Sequence, residues 1–169
     1  MGLHPQNIGT AMPHGFAGSY ARQPDMIVST RPAGAAIPFG TPLKYGDNGQ
    51  VLPMGADSTA EQFVGVAARE IRSALTYLDQ SAGAFAAGEA VSVFMRGAVN
   101  VRCQKGTPKL GGAVYVRVTA NESYPTAAVG GFEAEADEAK TVQLTGCQWA
   151  GAADTNGVAE LRILTMQSA

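Results

Sequence analysis

The stretch Glu89–Cys103, EAVSVFMRGAVNVRC, decides the fold. Val91, Val93, Met95, Gly97, Val99, Val101 and Cys103 alternate with Ser92, Phe94, Arg96, Ala98, Asn100 and Arg102. Alternation with period 2 places the first set on one face of a strand and the second on the other. A run this long seldom stays straight. Gly97, near its middle, is expected to mark a bend or bulge.

The flanking sequence repeats the pattern in shorter pieces. Towards the C-terminus, AVYVRVT turns Val114, Val116 and Val118 inward, TVQLTGCQW follows, and VAELRIL puts Ala159, Leu161 and Ile163 on one face. QKGTPKLGG and DTNG read as turns between them. Towards the N-terminus, MIVST is a short strand, and TPLKY and QVLPM flank Gly46-Asp47-Asn48-Gly49. Asp, Asn and Gly tolerate positive φ, as a tight hairpin requires, while Pro42 and Pro53 keep these strands at an edge. The segment EQFVGVAAREI is apolar on both faces, with Phe63, Gly65, Ala67 and Ile71 on one side and Val64, Val66 and Ala68 on the other. Such a strand is covered on both sides, by core on one and a partner on the other. Arg69–Gln80 carries a weak helical stripe and is expected to be a long loop with one or two helical turns. With about seven or eight strands and no long helix, the expected fold is all-β, a small barrel or sandwich.

Two parts are expected, an extended arm over residues 1–24 and a β domain over 25–169. The arm has no sustained period, and Ile8, Met12, Phe16 and Tyr20 are spaced along it like anchors. The candidates for partner contact are these four, Arg22 behind them, and Val64, Val66 and Arg69 on and after the doubly apolar strand.

Composition narrows the function. Charged residues make up 15% of the chain and the formal net charge is −2, with eight Arg against four Lys. A typical domain is about 25% charged, and interfaces favour Arg over Lys. No basic cluster offers a footprint for nucleic acid, and neither a signal peptide nor a membrane span is legible. Cys103 and Cys147 have no further Cys or His at metal spacing, so small buried thiols are expected. His4 and His14 lack a carboxylate fixed beside them. No nucleophile elbow, zinc-binding helix or phosphate loop occurs, so neither catalysis, cofactor nor metal is expected. In FEAEADEA, Glu133, Glu135 and Asp137 share a face with Glu138 adjacent. That run can be a solvated acidic loop, meet an Arg on a partner, or take calcium.

The segments GFAGSYARQPD, IPFGTPLKY…GQVLPM, FVGVAAREI, GEAVSVFMRGAVNVRC and TVQLTGCQWAGAADTNGVAELRI, in this order from about Gly15 to Ile163, resemble the structural cement (capsid decoration) proteins of tailed bacteriophages. The resemblance implies a β-rich homotrimer on the outer surface of the phage capsid. Such a trimer sits over joints between major capsid protein subunits and stabilises their lattice. It implies a virion protein, assembled in the host cytoplasm, with no catalytic residues. The alternative from another class is a receptor- or carbohydrate-binding β module of a phage tail or fibre, presenting Tyr77, Phe85 and Tyr124 on loop tips.

Overall fold

The computed structural model describes residues 13–70 and 83–165. The fold is all-β, with twelve strands and three single 3₁₀ turns among these residues. Its centre is β7, Ala90–Lys105, the strand that the alternation foretold. It pairs antiparallel with β1 (Tyr20–Pro32), β5 (Phe63–Ala67) and β12 (Val158–Ile163), and parallel with β9 (Phe132–Glu133). The main path adds β3 (Pro42–Tyr45) and β4 (Val51–Pro53) beyond β5, and β8 (Tyr115–Arg117) and β10 (Thr141–Gln143) beyond β9. β11 (Cys147–Trp149) pairs with β12, and β2 (Ile37–Pro38) pairs with β6 (Ala84–Phe85) apart from the rest. This path is open, with β10 at one end and β4 at the other, so the sheet does not close into the barrel that was one of the two expected forms.

Gly97 does more than bend β7. Its φ is +107°, and a Cβ there would run into the carbonyl oxygen of Asp25. Arg22 pairs with Ala98 and Ile27 with Arg96, so residues 23–26 of β1 bulge out opposite Gly97 alone. Across this break the face that carries the odd-numbered residues changes cores, while Phe94 on the other face already lies in the second. Val91 and Val93 join a cluster with Ile37, Leu43, Val51, Val64 and Phe85. Val99 and Val101, of the same parity, join another with Phe132, Leu144, Trp149, Leu161 and Ile163.

β5 is the wall between these clusters, and its faces differ from the sequence reading. Lys44 pairs with Phe63 and Leu43 with Gly65, leaving Val64 as an extra residue. The slip reverses the alternation, so Phe63, Val66 and Ala68 enter one core while Val64 and Ala67 enter the other. Both faces of β5 are thus covered by the chain itself.

The expected hairpin forms between β3 and β4, with Asn48 at φ +56° in its turn and Leu43, Lys44 and Tyr45 opposite Pro53, Leu52 and Val51. The valines at 114, 116 and 118 are buried as expected, and so are Ala159, Leu161 and Ile163. Cys147 is buried and Cys103 half-buried, both as free thiols. Burial pushes the Cys147 thiol up to about 12. The loop expected over Arg69–Gln80 falls mostly outside the described residues. Among the described residues, no helix is long and apolar enough to cross a membrane.

Candidate partner interface

The N-terminal segment lies on the domain from His14 onward. The His14 N–H donates to Asp154 Oδ2 at 2.8 Å, and Asn100 Nδ2 donates to the His14 carbonyl at 2.8 Å and to Ser19 Oγ at 3.1 Å. Backbone bonds continue the seam: Gly18 N–H to the Asn100 carbonyl, Asn100 N–H to the Ser19 carbonyl, and Arg69 N–H to the Gly18 carbonyl. Gly18 is buried at φ +82°, where a Cβ would sit 2.8 Å from both the Ala67 carbonyl oxygen and the Gly40 nitrogen. Asp154 anchors the other side of the seam. Its Oδ1 accepts from the N–H groups of Asn156 and Val158, closing the DTNG turn. Burial raises the Asp154 pKa, but the backbone donors of Val158, His14 and Asn156 outweigh it, so the net shift is downward.

This seam holds side chains outward in fixed places. Phe16 is 58% exposed, and the Arg69 guanidinium carbon stands 4.5 Å from its ring centroid and 5.5 Å from that of Phe39. The Tyr20 ring packs 5.6 Å from Phe94, and its hydroxyl donates to Glu70 Oε1 at 2.8 Å. Burial, and then the Glu70 carboxylate, push the Tyr20 hydroxyl up to about 12. Two residues on, Arg22 Nε donates to Glu160 Oε1 and Oε2 at 2.8 and 3.0 Å.

Of the eight candidate contact residues, Phe16, Tyr20, Arg22 and Arg69 therefore lie along one seam. Val64 and Val66 are buried in the two cores. Ile8 and Met12 lie outside the described residues, as does His4. The aromatic set of the receptor-module alternative does not assemble. Phe85 is buried against Phe39, Tyr77 lies outside the described residues, and Tyr124 alone is exposed, its ring 4.0 Å from Lys105 Nζ.

The acidic run resolves into two kinds of carboxylate. Glu133 and Arg117 are wholly buried, with Nε to Oε1 at 2.6 Å and Nη2 to Oε2 at 3.0 Å. Arg117 Nη2 also donates to Asp137 Oδ2 at 2.7 Å, where Asn121 Nδ2 (2.9 Å) and Lys105 Nζ (3.4 Å) converge. Bonds from Asn121 and then Arg117 hold the Asp137 carboxyl well below the usual carboxylate range. Burial lowers the Arg117 pKa, but Glu133 and Asp137 more than reverse that. Gln104 Nε2 donates to Glu133 Oε1 and to the Ala128 carbonyl. The Arg that meets the acidic run is thus the chain's own, and Glu135 and Glu138 stay exposed. The sequence reading missed Arg117 because it alternates with buried valines and so counts as outward. The hint was the run itself, four carboxylates in six residues needing a cation.

A cavity of about 640 Å3 opens beside Ala17, Thr41, Gly130 and Asn156. Among the described residues its titratable linings are Arg102 and Cys103, with no carboxylate or imidazole beside them in the lining. Among the described residues, no group of His, Cys, Asp and Glu side chains could hold a metal ion.

Comparison with known proteins agrees with the sequence resemblance. A family model described as "Structural cement protein (E217 gp24/Pam3 gp6)" matches residues 4–164. No curated protein matches the chain. Among solved structures, a chain from "The capsid of Myoviridae Phage XM1" superposes with a TM-score of 0.66. That likeness covers 98% of this chain and 99% of the other at 15% identity, and so speaks to fold.

Proposed function

The chain belongs to the structural cement protein family, whose role is structural within a phage particle, and from that premise we propose that it binds the outer surface of the capsid as a homotrimer and clamps the lattice of major capsid proteins. The observation that carries this reading is the seam of Phe16, Tyr20, Arg22 and Arg69. These are residue types enriched at interface centres. Here Phe16, Tyr20 and Arg22 are exposed and Arg69 half-buried beside them, on a segment pinned by backbone bonds to Asn100 and Arg69. Side chains held in place before binding lose less freedom when a partner arrives, which favours affinity. Three copies acting together turn weak single contacts into firm attachment.

In this reading residues 1–12, carrying Ile8 and Met12, reach a neighbouring subunit. An extended chain of that length spans roughly 40 Å. A deletion test is best cut after Met12, because Gly18 and Ser19 hold Asn100 and a cut after Ala21 would strip buried partners from the domain.

The test uses expanded capsid shells stripped of this protein. Adding it back should raise the temperature at which the shells rupture, and the bound protein should be releasable from intact shells. Shells that rupture at the same temperature with and without it would overturn the reading.

A further inference from the structure

Beside the seam, a notch of about 400 Å3 opens around Gly97. Arg22 and Arg162 both pair with Ala98 in register, so the two guanidinium groups flank one methyl floor across β1, β7 and β12. Arg96 lines the same notch. Three guanidinium groups there meet two carboxylates, and the pairing is unequal. Arg22 holds Glu160 closely, its Nε–H shared between Oε1 at 2.8 Å and Oε2 at 3.0 Å. Arg96 holds Asp25 only loosely, with Nε 3.3 Å from Oδ1 and Nη2 3.4 Å from Oδ2. Arg162 has no carboxylate partner among the described residues. Leu164 in its lining is 44% exposed, and Ile27, opposite Arg96 in register, is 39% exposed. An uncompensated Arg beside exposed aliphatic groups is chemistry suited to an acidic protein segment.

The chain itself supplies such a segment. Glu135 and Glu138 are exposed at the end of the acidic run, and no cation pairs with either among the described residues. We infer that the Arg96–Arg162 notch of one subunit receives the Glu135–Glu138 loop of the next. The contact joins two different patches, so it repeats head to tail and closes a ring when three copies meet. This inference rests on the trimer reading and deepens it by naming the surfaces.

A charge-reversal pair tests it on the full-length protein, with mass measured by light scattering across a dilution series and folding checked by thermal melting. Arg96→Glu with Arg162→Glu, and separately Glu135→Lys with Glu138→Lys, should each raise the dilution midpoint for dissociation about a hundredfold, because like charges then face one another. Combining all four reversals should restore the midpoint to within about tenfold of the native protein. If a reversed protein fails to melt cooperatively, Arg162→Gln alone should still shift the midpoint about tenfold. A native trimer whose midpoint no reversal moves overturns the notch contact and leaves the trimer reading standing. Separate reversals that dissociate the trimer without rescue in combination overturn the pairing, as does loss of shell binding from an intact trimer. A native protein that is a monomer at every concentration, on shells as well as in solution, overturns both.

Discussion

Two Arg–Glu pairs in this molecule have the same chemistry and opposite settings. Arg117 and Glu133 are each 0% exposed in their side chains, whereas Arg22 is 69% and Glu160 7% exposed. Arg117 grips its carboxylate as a fork, through Nε and Nη2, whereas Arg22 shares its one Nε–H between both oxygens of Glu160. The buried pair joins β8 to β9 and, through Asp137, Asn121 and Gln104, ties in the loops that follow these two strands. The outer pair clips the start of β1 to β12, on the face where the proposed partner contacts lie. A desolvated ion pair is strongly destabilising to break and need not be stabilising to possess. An exposed guanidinium stays available to a partner. Setting, and not residue type, assigns one pair to the fold and the other to the surface.

The largest effect expected from breaking this contrast is at Arg117. Arg117→Met leaves Glu133 buried without its cation and should destabilise the protein by about 3–5 kcal/mol, read by urea denaturation. A loss below about 1 kcal/mol would mean that water reaches Glu133 and that the buried pair resembles the outer one. Next comes Gly97, where the valine face of β7 passes from one core to the other. Gly97→Ala should cost about 1–3 kcal/mol for the positive φ alone, with more from the clash at the Asp25 carbonyl. A melting curve that overlays the native one would show that β1 gives way freely.

Acid sharpens the contrast further. The folded-state pKa values of Asp137 and Asp154 are lowered, so the stability each contributes is present above its unfolded value near about 4 and is lost as pH falls towards its folded one. Melting temperature should therefore stay level from pH 7 to about 5 and fall below about 4. Asp137→Asn should flatten part of that acid limb. The smallest effect is at Cys147, whose raised pKa keeps it a thiol. It should resist alkylation in the native protein at pH 8 and react once unfolded.

What the sequence made legible follows the same division. The period of β7, the hairpin at Asn48 and the inward stripes at Val114–Val118 and Ala159–Ile163 could be read because burial and backbone geometry repeat on one short period. β5 was legible as doubly buried, but a single extra residue at Val64 reversed its faces, and no local pattern marks a bulge. Two-residue strands such as β2 and β9 are too short to carry a period at all. The seam over residues 14–22 reads as an arm because its bonds run to Asn100 and Asp154, more than 80 residues away, and leave no periodic trace. Phe16 and Tyr20 were singled out by spacing. Their bonds to Arg69 and Glu70 were not legible, since those contacts exist only after the strands pair.

The central claim is that the outer seam serves the assembly and can be altered without loss of the fold. The most direct test is co-sedimentation with stripped capsid shells of a protein carrying Phe16→Ala, a side chain 58% exposed, beside the native one. The account predicts a variant that melts within a few degrees of native and that binds shells at least about tenfold more weakly. A variant that folds and binds as the native protein does would contradict it.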